Sequence, residues 1–212
     1  MPRFIDLTHP LVNGAPAFPN DPKMAIVQHG TIDTHGYNIT QLLTGSHQDT
    51  HADALSHFIA DGLTIDAMPL EWFHGPACRI DLPRAAGSTI GADDLRAHEA
   101  DIGAGARLIV NTGWHRLHGT KAFFQDFPSL TIDAAEYLVS RRIRLLGLDV
   151  PTPGKDWYRL HHILLARDAE VVIVEGLVNL DALPKTFVFS GFPLRIRDGD
   201  GSPIRAVALC VD

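Results

Sequence analysis

The sequence predicts an α/β or α+β fold with a mixed sheet as its core. Three observations lead there. Short apolar runs bounded by turn residues recur along the chain, as buried strands do. Helical stretches are fewer and lie between those runs. No repeat, low-complexity tract or long linker divides the 212 residues, so one domain spanning 1–212 is expected.

Taken in order, residues 3–8 read as an edge strand. Asn13 to Pro22 holds three prolines, a glycine and an aspartate, which bars a regular element and gives a stiff loop suited to lining a pocket. Residues 24–29 and 36–43 read as strands, as do the apolar runs Ala77 to Leu82 and Arg107 to Asn111. Gly91 to Glu99 reads as a short helix. A second helix begins at Thr131, a suitable N-cap, with Asp133 and Glu136 in or near the first turn, where they favour the helix dipole. Leu145 to Asp149 is a buried strand, and Leu160 to Leu165 a short helix or extended segment. Val171 to Val174 is a strand ending at Glu175. Residues 186–196 and 204–211 suggest a hairpin whose turn, 197–202, carries two Asp/Gly steps able to supply positive φ.

Composition excludes several functions. A formal net charge of −7 without a Lys/Arg run argues against nucleic acid as a partner. The densest basic stretch, Arg141, Arg142 and Arg144, reads as the solvated face of a helix. No stretch approaches the roughly 20 apolar residues of a membrane helix, so no membrane partner is expected. Cys78 and Cys210 match no metal or redox spacing and read as buried free thiols. With no apolar leader at the start, the cytoplasm is the expected compartment. Phe123, Phe124, Trp114 and Phe127 suit core packing, with an interface or a pocket wall as alternatives.

The chemistry concentrates in one segment, His47-Gln-Asp-Thr-His51-Ala-Asp53-Ala-Leu-Ser-His57. Three histidines and two aspartates fall within eleven residues, a density that favours metal binding over unrelated polar contacts. His47 and His51 share a face if the backbone turns once between them. His51 and Asp53 share one if that stretch is extended. Two imidazoles and a carboxylate form an open shell for a divalent ion such as zinc, manganese or iron, and such an ion lowers the pKa of bound water. His57 is placed to move protons beside it. Farther along, His161 and His162 precede a Leu pair, and Glu175 ends a buried run. A metal, a salt bridge or a water-facing strand end would each account for Glu175. The remaining histidines show no comparable grouping, although His9 and His35 lie in loops that could approach the site.

The same segment resembles the H-x-G-T-H-x-D-x-P-x-H signature of the cyclase family of metal-dependent hydrolases, which includes bacterial kynurenine formamidases and isatin hydrolases. The resemblance continues through Phe4 to Pro10, Ala17 to Pro22, Asn111 to Trp114, Leu146 to Pro151, Val174 to Leu180 and Gly201 to Ala206, in the family's order. It implies a swivelling β/β/α fold, a small-molecule substrate and a homodimer or higher homo-oligomer. It implies one or two divalent ions per chain, zinc or manganese. His47, His51 and Asp53 would bind the first ion. Asp53 would bridge to a second, completed by Glu175 and His161, with His162 the alternative. His57 would be the general acid/base, and Phe18 would line the substrate pocket. The implied reaction is hydrolysis of a C–N amide bond, as in N-formylkynurenine giving kynurenine and formate. Hydrolysis of a cyclic amide or lactone, and metal or ligand binding without catalysis, are the alternatives. Two positions depart from the signature: Asp49 replaces its glycine and Leu55 its proline. Asp49 is an extra ligand, a partner to a ligating histidine, or turned away.

Overall fold

The structure, a computed structural model, describes residues 2–210. A nine-stranded mixed sheet forms the core. Its strands are β1 (Arg3–Asp6), β4 (His51–Asp53), β5 (His74–Asp81), β7 (Arg107–Asn111), β9 (Leu145–Leu148), β10 (Val172–Glu175), β11 (Thr186–Ser190), β12 (Gly201–Pro203) and β13 (Val207–Cys210). Across the sheet the order is β1-β13-β11-β5-β7-β9-β10-β4-β12. The central four, β5-β7-β9-β10, are parallel and the flanking pairs antiparallel. Leu108 to Val110, Leu145, Leu146 and Val172 to Val174 are wholly buried. Such continuous apolar runs belong in parallel strands covered on both faces.

Two small sheets stand apart from it. One pairs β2 (Ala25–Gly30) with β3 (Ile39–Leu43) around α1 (Ile32–His35), and the other pairs β6 (Thr89–Ile90) with β8 (Ser129–Leu130). The helices α2 (Ala92–Arg96), α3 (Ile132–Ser140) and α4 (Trp157–Leu164) fall between the parallel strands in the chain, and α3 packs on both α2 and α4. On α3, Ala134, Ala135 and Leu138 provide the buried stripe that helical spacing requires.

Most expected elements are present within a few residues of their expected bounds, including the edge strand β1. Two readings are sharpened and two change. Thr131 is the N-cap of α3, but its hydroxyl donates to the Ile90 carbonyl rather than capping the helix. Arg141, Arg142 and Arg144 follow α3 instead of forming its solvated face. Arg141 donates to the Ile102 carbonyl, while Arg144 pairs with Glu170 and lies 4.3 Å over the Trp72 ring. Residues 160–165 are largely the C-terminal half of α4. The C-terminal segments pair antiparallel as expected, β11 with β13, with Val211 outside the described residues. Their connection is not a tight turn: it crosses to the far edge of the sheet and adds β12 beside β4. Cys78 and Cys210 are buried and unpaired, and Trp114, Phe123 and Phe127 join the core.

Candidate metal centre and active site

Extended geometry at β4 builds the centre of the site. Alternation sends Ala52 to one side and His51 and Asp53 to the other. The antiparallel register then sets Glu175 of β10 directly opposite His51, and cross-strand partners face the same way. On the other flank Gly201 of β12 lies opposite Asp53. A Cβ at Gly201 would stand 2.6 Å from His47 Cε1, so the absence of a side chain there admits the His47 ring.

Five side chains converge. His47 Nδ1 is 2.8 Å from Asp53 Oδ1. His51 Nε2 is 3.3 Å from both Asp53 Oδ1 and Glu175 Oε2. From α4, His161 Nε2 reaches within 3.4 Å of Asp53 Oδ2 and 3.5 Å of Glu175 Oε1. His162 turns elsewhere: its Nδ1 donates to the Tyr158 carbonyl and its ring packs on Tyr158. The helix rotates about 100° per residue, so two adjacent histidines cannot share a face. Of the two, the structure brings His161 to the cluster.

The chemistry of these donors fits a cation. His51 Nδ1–H donates to the Asp49 carbonyl and His161 Nδ1–H to the Trp157 carbonyl. In its neutral form each ring would present its Nε2 lone pair to the carboxylates of Asp53 and Glu175. Lone pair against carboxylate is repulsive unless positive charge lies between them. Asp53 Oδ2 and Glu175 Oε1 are buried and lack a hydrogen-bond partner among the described residues. Orphaned buried carboxylate oxygens call for a proton or an ion.

The pKa directions express the same demand. Burial alone would lower the histidines, but the carboxylates beside them overcome it. Asp200 and Asp53 push His47 up to about 9, while Asp53 and Glu175 push His161 up to about 10 and His51 well above its usual range. Burial would raise Asp53, yet His161, His47 and His51 hold it well below the usual carboxylate range.

His57 closes a short 3-10 turn, Leu55–His57, and stacks on His47 at 3.8 Å. Burial lowers its pKa below 6.5. Its Nδ1 is 3.7 Å from Asp200 Oδ2, and the same carboxylate oxygen lies 3.1 Å from His47 Nε2. Asp200 is the member that sequence reasoning missed. It lies in the Asp/Gly stretch that suggested only a turn, and the crossing of β12 delivers it here.

A pocket of about 480 Å³ opens over the cluster. Phe18, from the proline-rich loop, lines it together with Phe58, Pro151 and Trp157. Among the described residues, no lysine or arginine lines it. Asp49 is not at the cluster: its carboxylate turns to His118 and Gln48. Its φ of 51° explains why the signature carries glycine here and why aspartate, unlike most residues, is tolerated. Leu55 is simply buried in the core. His9 and His35 do not join the cluster; His9 stacks on His118, and His35 lies on the β2–β3 arm.

Comparison with known proteins agrees with this architecture. Residues 5–155 match the family model described as putative cyclase. Kynurenine formamidase of Bordetella petrii is 30% identical over 211 residues, covering 98% of each chain. An isatin hydrolase bound to the product analogue thioisatinate superposes with a TM-score of 0.89 at 28% identity, covering 100% of this chain and 93% of that one. A protein from Bacillus stearothermophilus, described as a predicted metal-dependent hydrolase, gives a TM-score of 0.82 at 26% identity and coverage of 99% and 98%. The family match spans well over half the chain and the structural likeness nearly all of it. The chain belongs to the cyclase family.

Proposed function

We propose that this protein is a metal-dependent amidohydrolase of the arylformamidase type, with N-formylkynurenine as the first substrate to try. The observation that carries the proposal is the five-residue cluster of His47, His51, Asp53, His161 and Glu175, with orphaned carboxylate oxygens, at the floor of a pocket with aromatic walls. The full-length similarity to a kynurenine formamidase supports the reaction class.

Those five residues would hold one or two divalent ions, with Asp53 shared between them. Mixed imidazole and carboxylate donors suit zinc or manganese. When bound, such an ion supplies a hydroxide near neutral pH and polarises the substrate carbonyl. The residues of the chain do the rest. Phe18, Phe58 and Trp157 pack the aryl group. His57, neutral at pH 7 because burial lowers its pKa, takes a proton as the carbonyl is attacked and returns it to the leaving amine. Asp200 Oδ2 lies 3.7 Å from His57 Nδ1, a negative charge beside the ring rather than a hydrogen-bond partner.

Turnover of N-formylkynurenine, followed by absorbance, tests this reading. Absence of turnover by the metal-loaded protein overturns it. A second reading, cyclic-amide hydrolysis, is favoured by the structural likeness to isatin hydrolase, and turnover of isatin in the same assay separates the two. The β2–β3 arm leaves Val27, Ile39, Leu42 and Leu43 exposed, which supports the homodimer or larger homo-oligomer that we also propose. Light scattering of the purified chain tests that. Two buried free thiols suit a reducing compartment, and we place the protein in the cytoplasm.

A further inference from the structure

We propose that the Asp49–His118 pair positions His51, so that removing His118 while Asp49 remains weakens divalent-metal binding at the centre. The proposal rests on the ligand role given above to His51.

Asp49 holds its backbone in the left-handed region, with φ of 51°. In that conformation its carbonyl accepts His51 Nδ1–H at 3.0 Å and leaves Nε2 facing Asp53 and Glu175. The carbonyl sits in a cradle left by Gly176, where a Cβ would stand 2.5 Å from it. What secures the carbonyl is the side chain of the same residue. The Asp49 carboxylate is buried. One oxygen accepts from His118 Nε2 at 2.9 Å and the other from the Gln48 amide at 2.9 Å.

His118 is itself held firmly. Its ring stacks flat on His9, with centroids 3.4 Å apart, and meets the edge of Phe123 at 5.2 Å. The turn before it, Trp114–Leu117, is tied down by Asp149, which accepts from the Trp114 N–H at 3.0 Å and bonds His115 Nδ1 at 3.1 Å. A continuous chain of contacts therefore runs from the end of β9, through His118 and Asp49, to the ring of His51. Asp49 and His118 touch neither the pocket nor the carboxylates of the centre; they are positioning residues.

The pair is matched. A buried carboxylate without its donor is costly, and the loop must shift to satisfy it, taking the carbonyl with it. Glycine at 49 adopts positive φ without support and has no carboxylate to satisfy. His118 should matter only while position 49 is aspartate.

The test is a double-mutant cycle on the full chain, stripped with chelator. Zinc is titrated against a competing chelator, and cobalt is followed by its visible spectrum, which reports ligand geometry. His118→Phe keeps a ring on His9 but removes the donor. It is expected to bind zinc about 10-fold or more weakly and to alter the cobalt spectrum, in line with losses of about 10–100-fold when a residue supporting a ligand is removed. Asp49→Gly with His118→Phe is expected to recover both. Wild-type affinity and spectrum in His118→Phe overturn the proposal, as does a double variant no better than the single one. Should His118→Phe fail to fold, His118→Leu replaces it with the same outcomes. A wild-type chain that takes up neither ion overturns the metal centre and this proposal together. Tight metal binding without amide turnover overturns only the amide reading.

Discussion

Gly201→Ala tests the construction of the centre at its tightest point. The added Cβ would lie 2.6 Å from His47 Cε1, 3.0 Å from His47 Nε2 and 3.0 Å from the Ala52 carbonyl oxygen. The carbonyl belongs to the paired strand β4 and cannot withdraw, so the ring must yield. Reaching 3.4 Å requires a retreat of about 0.8 Å from the 2.6 Å approach. Metal–ligand distances tolerate about 0.2 Å, so a displacement of that size would take His47 out of the proposed ligand set. It also lengthens the 2.8 Å contact to Asp53 and the 3.1 Å contact to Asp200. Overpacking of this kind costs about 1–3 kcal/mol. Reduced chain entropy in the unfolded state returns about 0.4–1 kcal/mol, so a net loss remains. At about 2–4 °C per kcal/mol for a chain of this size, melting falls by several degrees. The assay is thermal unfolding in chelator together with zinc competition. An unchanged melting temperature with unchanged zinc affinity would refute the reasoning, because it would mean that His47 has room the structure does not show.

Three further outcomes are expected. His57→Ala keeps its metal by elemental analysis but loses about 10²–10⁴ in turnover, the usual contribution of a general acid/base. Wild-type turnover would sink the proton-transfer role, and loss of metal would make His57 a ligand. His161→Ala lowers metal content while His162→Ala does not; the reverse result would contradict the arrangement on α4. The metal-free chain should lose stability as pH rises from about 6.5 towards 9 to 10 in denaturant titrations. His47 and His161 have folded values of about 9 and about 10 against 6.5 unfolded, so the fold binds their protons more tightly. That stability is complete below 6.5 and disappears as pH passes the folded values. Bound metal displaces those protons and should remove the decline, so a flat profile in chelator would count against these protonation states.

The sequence by itself determined most of the strands and helical segments and marked the residues proposed for the centre, Asp200 excepted. Alternation along an extended backbone is local geometry, so the pairing of His51 with Asp53 on one face was readable from a spacing of two. A buried apolar run ending in Glu175 likewise marked a strand with a polar end. The partner of that strand was not readable. Register between β4 and β10, which sets Glu175 opposite His51, depends on how segments far apart in the chain pack, and no local spacing encodes it. The same holds for Asp200. Its Asp/Gly surroundings carry turn chemistry, and only the crossing of β12 to the far edge brings it to His47 and His57. The resemblance pointed to His161 with His162 as the alternative, and the orientation of α4 brings the His161 ring to the cluster. Asp49, one residue off a sequence signature, was open to three readings. Tertiary structure turned its carboxylate to His118 and its carbonyl to His51, because a buried carboxylate goes where a donor waits, and that donor comes from another part of the fold.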